Sequence, residues 1–328
     1  MFTFNSKDMK KFLVKDFLFI LIICSITMAI NMWYMNTISY RQEVITNSNY
    51  RKFENVPYDI EICNFGSSHG SNDYFYDKFQ TKYTCFNFAL PSQSLDYDYR
   101  IFEHYKEHIS ENAIIFITIS YMSLYGIDES LYDDFRSKNK RYYHFLPKEL
   151  IKEYELKTDV FETCLPALVQ YDKLLPVLVG KQDDSTEDWT RTADQIDMNE
   201  YVSEAYKRHL VRNKMDEYGN RIINKEYVNS LIDMIDMCRE INARPILVTT
   251  PYLSEYTNFI TENSPDFLES FYDLVGKIAD QKGVPYYNYA FDDRFYKDYS
   301  LFVDADHLNK NGALKFVDIL IQQVNNID

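Results

Sequence analysis

The chain has 328 residues, 46% hydrophobic and 26% charged, with a formal net charge of −15 at pH 7. That length supports one large domain or two small ones, and the acidic balance argues against nucleic acid, because phosphate contacts need clustered Lys and Arg. Five scattered cysteines with no C-x-x-C spacing argue against a disulfide framework and a zinc site, and read as free thiols. The 29 tyrosines and 23 phenylalanines read as packing area, with a carbohydrate-facing aromatic surface as the alternative.

Residues 17–35, FLFILIICSITMAINMWYM, carry no charge and one Asn, long enough to cross a bilayer as a helix. Trp33 and Tyr34 suit the interfacial belt at its far end. Four lysines precede the segment, so residues 1–16 are expected in the cytoplasm and the bulk of the protein outside the membrane. A cleaved signal peptide is the competing reading, but Thr27-x-Ala29 is a poor small-x-small site. Polar residues 36–55 read as a linker to a domain over 56–328.

Within that domain the spacing predicts strands at 58–66, 82–90, 113–120, 244–251 and 284–289. The third is apolar nearly throughout, as a strand buried on both faces must be. Helical spacing marks 95–109, 226–241, 267–283 (with Gly283 as a C-cap) and 311–324. Alternating strands and helices predict an α/β fold with a parallel five-stranded sheet. The Tyr- and charge-rich stretch 125–225 breaks the alternation and reads as a helical insertion over one end of the sheet.

In open α/β sheets chemistry collects at the C-terminal ends of strands. The first strand ends in GSSHG, 66–70. Glycines there permit a tight turn that exposes a serine and aims backbone amides into a site. Such a polar turn also ends many strands without any chemistry. A nucleophilic serine needs a base and an orienting acid. Asp304 and His307 supply a D-x-x-H spacing before the last helix, whose neutral reading is a helix-capping loop. Asp306 is an alternative orienter, disfavoured by its adjacency to His307. His69 reads either as a substrate contact or as a polar helix-start residue. The H-x-x-E-H string His104–His108 reads as a solvated helix face rather than a zinc site. Asn64 and Asn87 read as satisfying loop backbone, and His144 and His209 carry no readable role.

The order GSS, then D-x-x-H before the last helix, resembles the SGNH (GDSL-like) hydrolase superfamily. Ser68 then aligns with the nucleophile and Ser67 with the usual Asp. Together with NFALPSQSLDY (87–97), VTTPY (248–252), DADHLNKNGA (304–313) and the N-terminal anchor, the pattern resembles the membrane-anchored envelope branch, which includes DltD and the alginate O-acetylation proteins. That resemblance implies a flavodoxin-like three-layer sandwich without a metal or organic cofactor. It implies acyl-ester transfer or hydrolysis on a cell-envelope glycan or teichoic-acid-like polymer, beside a membrane-bound O-acyltransferase. It also implies oxyanion donors where this chain has Ser92 in place of the family's Gly, and Ser120 or Tyr121 in place of its Asn. Two other readings stay open. One is a non-catalytic polymer- or acyl-carrier-binding partner of an acyltransferase; the other is a secreted esterase acting on small esters.

Overall fold

The computed structural model describes residues 6–37, 50–128, 136–154, 161, 164–169, 171–180 and 189–325. The chain divides into two compact units. One combines Met1–Val44 with Ile151–Thr186, and the other Ile45–Leu150 with Glu187–Asp328. Most of the expected linker 36–55 lies outside the described residues. Its last part, Tyr50–Asn55, is a 3-10 turn that buries Phe53 in a stack on Phe145 rather than a free tether. Parts of the expected insertion, 129–135, 155–160, 162–163, 170 and 181–188, also lie outside the described residues.

In the first unit, helix α1 (Ser6–Tyr34) contains Met9–Tyr34, with mean hydropathy 2.3, long and apolar enough to cross a membrane.

The second unit is an α/β fold. Strands β1 (Ile60–Phe65), β2 (Cys85–Asn87), β3 (Ile109–Thr118), β4 (Arg244–Thr249) and β5 (Tyr286–Asn288) form one parallel sheet in the order β2-β1-β3-β4-β5. This is the doubly wound order with its switch point between β1 and β3. Side chains alternate across the sheet. Ile62, Phe116, Ile246 and Val248 face α10 (Lys310–Asn325) through Phe316, Val317 and Leu320. Cys63, Phe65, Ile115 and Leu247 are buried on the opposite face, where Phe65 meets Phe102 of α3 (Leu95–Tyr105). Helix α7 (Lys225–Glu240) packs on α3 and β4, and α9 (Phe267–Lys282), capped by left-handed Gly283, packs on β5. Three layers result. Burial on both faces explains the apolar runs 113–117 of β3 and 245–248 of β4.

Candidate active site

The C-terminal end of β1 runs directly into α2 (Ser68–Asn72). Gly66 makes the turn at φ +136°, where a Cβ would lie 2.8 Å from Thr118 Cβ, so both conformation and space require glycine. The Gly66 amide donates to buried Asp98 Oδ1 at 2.9 Å, and Gln93 Nε2 donates to the same oxygen at 2.6 Å. Asn64 and Asn87 satisfy the carbonyls that so short a helix leaves open. Asn64 Nδ2 donates to Gly70 O, and Asn87 Nδ2 donates to Gly70, Ser71 and Tyr74 carbonyls. Ser68 is half-buried at the head of α2, whereas Ser67 and His69 are buried.

The second component is the loop before α10. Asp304 Oδ1 accepts the backbone N–H groups of Asp306 and His307 at 2.9 and 2.8 Å. Its carboxylate also receives His307 Nδ1 at 3.0–3.1 Å. The D-x-x-H spacing thus folds the acid back onto the ring and fixes its orientation. His307 Nε2 is buried and makes no hydrogen bond. Asp73, just past α2, accepts the Leu308 amide at 2.9 Å, tying the serine turn to this loop. The His69 and His307 rings stack, with centroids 4.6 Å apart and planes at 21°.

Behind this pair lies a cluster that the sequence patterns do not reveal. Asp306 is fully buried, and its Oδ2 lies 3.4 Å from His69 Nε2, 3.4 Å from His209 Nε2 and 3.6 Å from His307 Nδ1. Arg208 reaches its other oxygen at 3.3 Å. Arg208 and His209 come from a π-helical turn, Lys207–Val211, that continues α6 (Met198–Tyr206). Such turns recur at functional sites because they redirect consecutive side chains. His69 Nδ1 bonds Ser120 Oγ at 3.0 Å, and Ser120 Oγ bonds Ser67 Oγ at 3.2 Å. A buried hydrogen-bonded chain therefore runs His69–Ser120–Ser67, with Asp306 Oδ2 3.4 Å from His69 Nε2 at its inner end.

The other expected site residues fall as follows. Ser120 is not an open oxyanion donor: its amide donates to Ser123 Oγ, and its hydroxyl is engaged by His69 and Ser67. Tyr121 is buried, with its hydroxyl bonded to that of Tyr272. His69 is the second residue of α2, a polar helix-start residue, and is fully buried with its Nδ1 bonded to Ser120 Oγ. Ser92 is exposed, in the left-handed region at φ 55°, on the turn between β2 and α3. Asp306 is farther from His307 than Asp304 is, as its adjacency implied. His108 caps Pro57 O and stacks on Tyr58, so the H-x-x-E-H string serves the surface.

The charges follow from these positions. Burial alone would favour a neutral His307, but Asp306 and Asp304 outweigh it and push the ring up to about 10. Burial holds His209 down to about 3 and lowers His69, leaving both neutral. Asp306 is held well below the carboxylate range: burial opposes this, but His307, His69, His209 and Arg208 together prevail. Burial raises Asp73 to about 8 and Asp98 to about 7. Ligand atoms of His69, Asp306 and His307 lie within 4.8 Å of one another. His307 Nδ1 is committed to Asp304 and His69 Nδ1 to Ser120, so in this set the carboxylate of Asp306 sits against imidazoles already held by other partners.

No family model matches the chain, and no curated protein matches it. Among solved structures, a crystal structure from Bacteroides fragilis NCTC 9343 named as a "putative acylhydrolase" is similar. The two share 9% identity at a TM-score of 0.40, over 84% of this chain and 93% of that one. At that level the likeness says nothing about this chain's chemistry.

Proposed function

We propose that the protein is a membrane-anchored serine esterase or acyltransferase acting on ester-linked acyl groups of a cell-envelope polysaccharide or teichoic-acid-like polymer. The observation that carries this reading is the Asp304–His307 pair, with a buried, unpartnered Nε2, packed against the helix whose first residue is Ser68. Free-state distances between nucleophile and base are often long and tighten on substrate. In this reading His307 Nε2 takes the Ser68 proton as Oγ attacks the acyl carbonyl. The ring then returns the proton to the leaving oxygen while Asp304 holds the imidazolium. The Ser68 amide receives the oxyanion, with Ser92 as the second candidate donor. Water or a polymer hydroxyl then releases the acyl group.

Helix α1 serves as the anchor, with its N-terminus in the cytoplasm and the sheet unit outside. The partner this reading calls for is a membrane-bound O-acyltransferase that supplies or receives the acyl group. A binding-only role is the competing proposal, and one experiment separates the two. The full-length protein in detergent is treated with a serine-directed fluorophosphonate. Labelling is expected in wild type and in Ser67→Ala, and absent in Ser68→Ala and His307→Ala. A folded wild type that does not label at any pH up to 10 sinks the catalytic reading and leaves the binding role.

A further inference from the structure

The N-terminal unit carries a feature that the proposed chemistry does not use. Asn31 is the one polar amide in the apolar stretch of α1, and it is buried. An unsatisfied amide at that depth costs several kcal/mol. Here both ends of the amide are engaged. Asn31 Nδ2 donates to Cys164 O at 3.0 Å, and Asn31 Oδ1 accepts the Ala167 amide at 3.1 Å. That amide belongs to the first turn of α4 (Pro166–Val169), where helix N–H groups lack intrahelical partners. One helical turn beyond Asn31, Tyr34 is fully buried against Ala167, Leu174 and Val177, the last two from α5 (Tyr171–Leu178). Helices α4 and α5 are thus fastened to the C-terminal end of the apolar helix.

Several of their apolar side chains face outward. Leu168, Val169, Leu175, Leu178 and Val179 are exposed, Val179 at 72%. Residues 164–169 and 174–180 contain no charge. Water-facing surface of a soluble unit is rarely so apolar over a contiguous stretch. We propose that α4 and α5 form a membrane-surface element, seated in the interfacial layer of the bilayer at the C-terminal end of α1. The occupant of the apolar face is lipid, because the face is continuous with a helix whose own side chains, Phe19 and Ile26 among them, are exposed along a bilayer-spanning length. Interfacial elements of this kind insert their apolar side about 5–10 Å. The inference rests on α1 being a membrane span, but not on any catalytic role.

The test uses the full chain in phosphatidylcholine–phosphatidylglycerol vesicles. Exposed Cys24 and Cys164 are replaced by Ser, leaving the buried cysteines. An environment-sensitive fluorophore is attached singly through Val179→Cys, Leu175→Cys, Leu21→Cys in α1, or Tyr218→Cys, an exposed site in the sheet unit. Doxyl-labelled lipid should quench the 175 and 179 labels severalfold more than the 218 label, with blue-shifted emission. If the Leu21 label is quenched and those at 175 and 179 are not, the membrane-surface proposal is wrong and the anchor stands. If they are blue-shifted but unquenched, protein covers the face, and the lipid assignment is equally overturned. If Leu21 is unquenched as well, the anchor itself fails.

Discussion

The two halves of the candidate site are held by different forces. The serine turn is fixed from behind by hydrogen bonds: Gly66 to Asp98, Asn64 and Asn87 to the carbonyls of α2, Ser67 to Ser120. The histidine loop is fixed by charge: Asp304 and Asp306 on His307, and Arg208 on Asp306. Hydrogen-bonded scaffolds set geometry and fail by unfolding. Ionic scaffolds also set protonation states and fail with pH. Substitutions in the first half should therefore be read in stability, and those in the second in rate and pH response.

The largest effect is expected in the loop. Asp304→Asn keeps a side-chain oxygen to accept the two backbone amides but removes the charge that orients and stabilises the imidazolium. Ester turnover or fluorophosphonate labelling should fall by about 10³–10⁴, with the melting temperature little changed. A loss below tenfold would pass the orienting role to Asp306. The next effect is in the turn. Gly66→Ala meets both a forbidden φ and Thr118, so it should destabilise by roughly 3 kcal/mol or more, seen as a drop in the denaturation midpoint. A fully stable variant would show that the turn has slack. Smaller again is Asn87→Leu. It strips donors from the Gly70, Ser71 and Tyr74 carbonyls, at about 1–3 kcal/mol, and should leave the pH profile unmoved.

The sequence made the three-layer fold legible because the inner strands β3 and β4 are largely buried on both faces and so carry apolar runs, 113–117 and 245–248. Gly66 and the D-x-x-H block were legible because their geometry is local: Asp304 folds onto a ring three residues away. The buried cluster was not legible. Asp306 meets Arg208 and His209 across about a hundred residues, and GSSHG gives no sign that His69 turns inward while Ser68 stays accessible. One signal existed. Val202, Ala205 and His209 share helical spacing, and Val202 and Ala205 are apolar, so His209 falls on a buried face. Membership of the face says that a histidine is buried, but not what it meets.

Asp306→Asn tests the comparison most sharply. Asp306 is the largest influence raising His307, with Asp304, Asp73, neutral His69 and His209, and Arg208 also facing the pair. The base form of His307 is the neutral ring, so wild-type rate should climb with pH toward about 10. Removing one carboxylate charge destabilises the imidazolium and should move that limb down by about one unit or more. Stability runs the other way. His307 is raised in the fold, so its contribution is fully present below its ordinary 6.5 and is lost as pH rises through about 10. Asp306 is depressed, so its contribution is present above its ordinary 3.8 and is lost as pH falls through the lower folded value. The cluster therefore holds the loop best between about pH 4 and 6.5, where His307 is a poor base, and loosens as the ring becomes competent. Asp306→Asn should narrow that opposition: a less alkaline rate profile, together with a stability decline above pH 6.5 that is shallower and ends at correspondingly lower pH. An unshifted rate limb would reduce Asp306 to a structural ion and leave Asp304 alone to set the charge of His307.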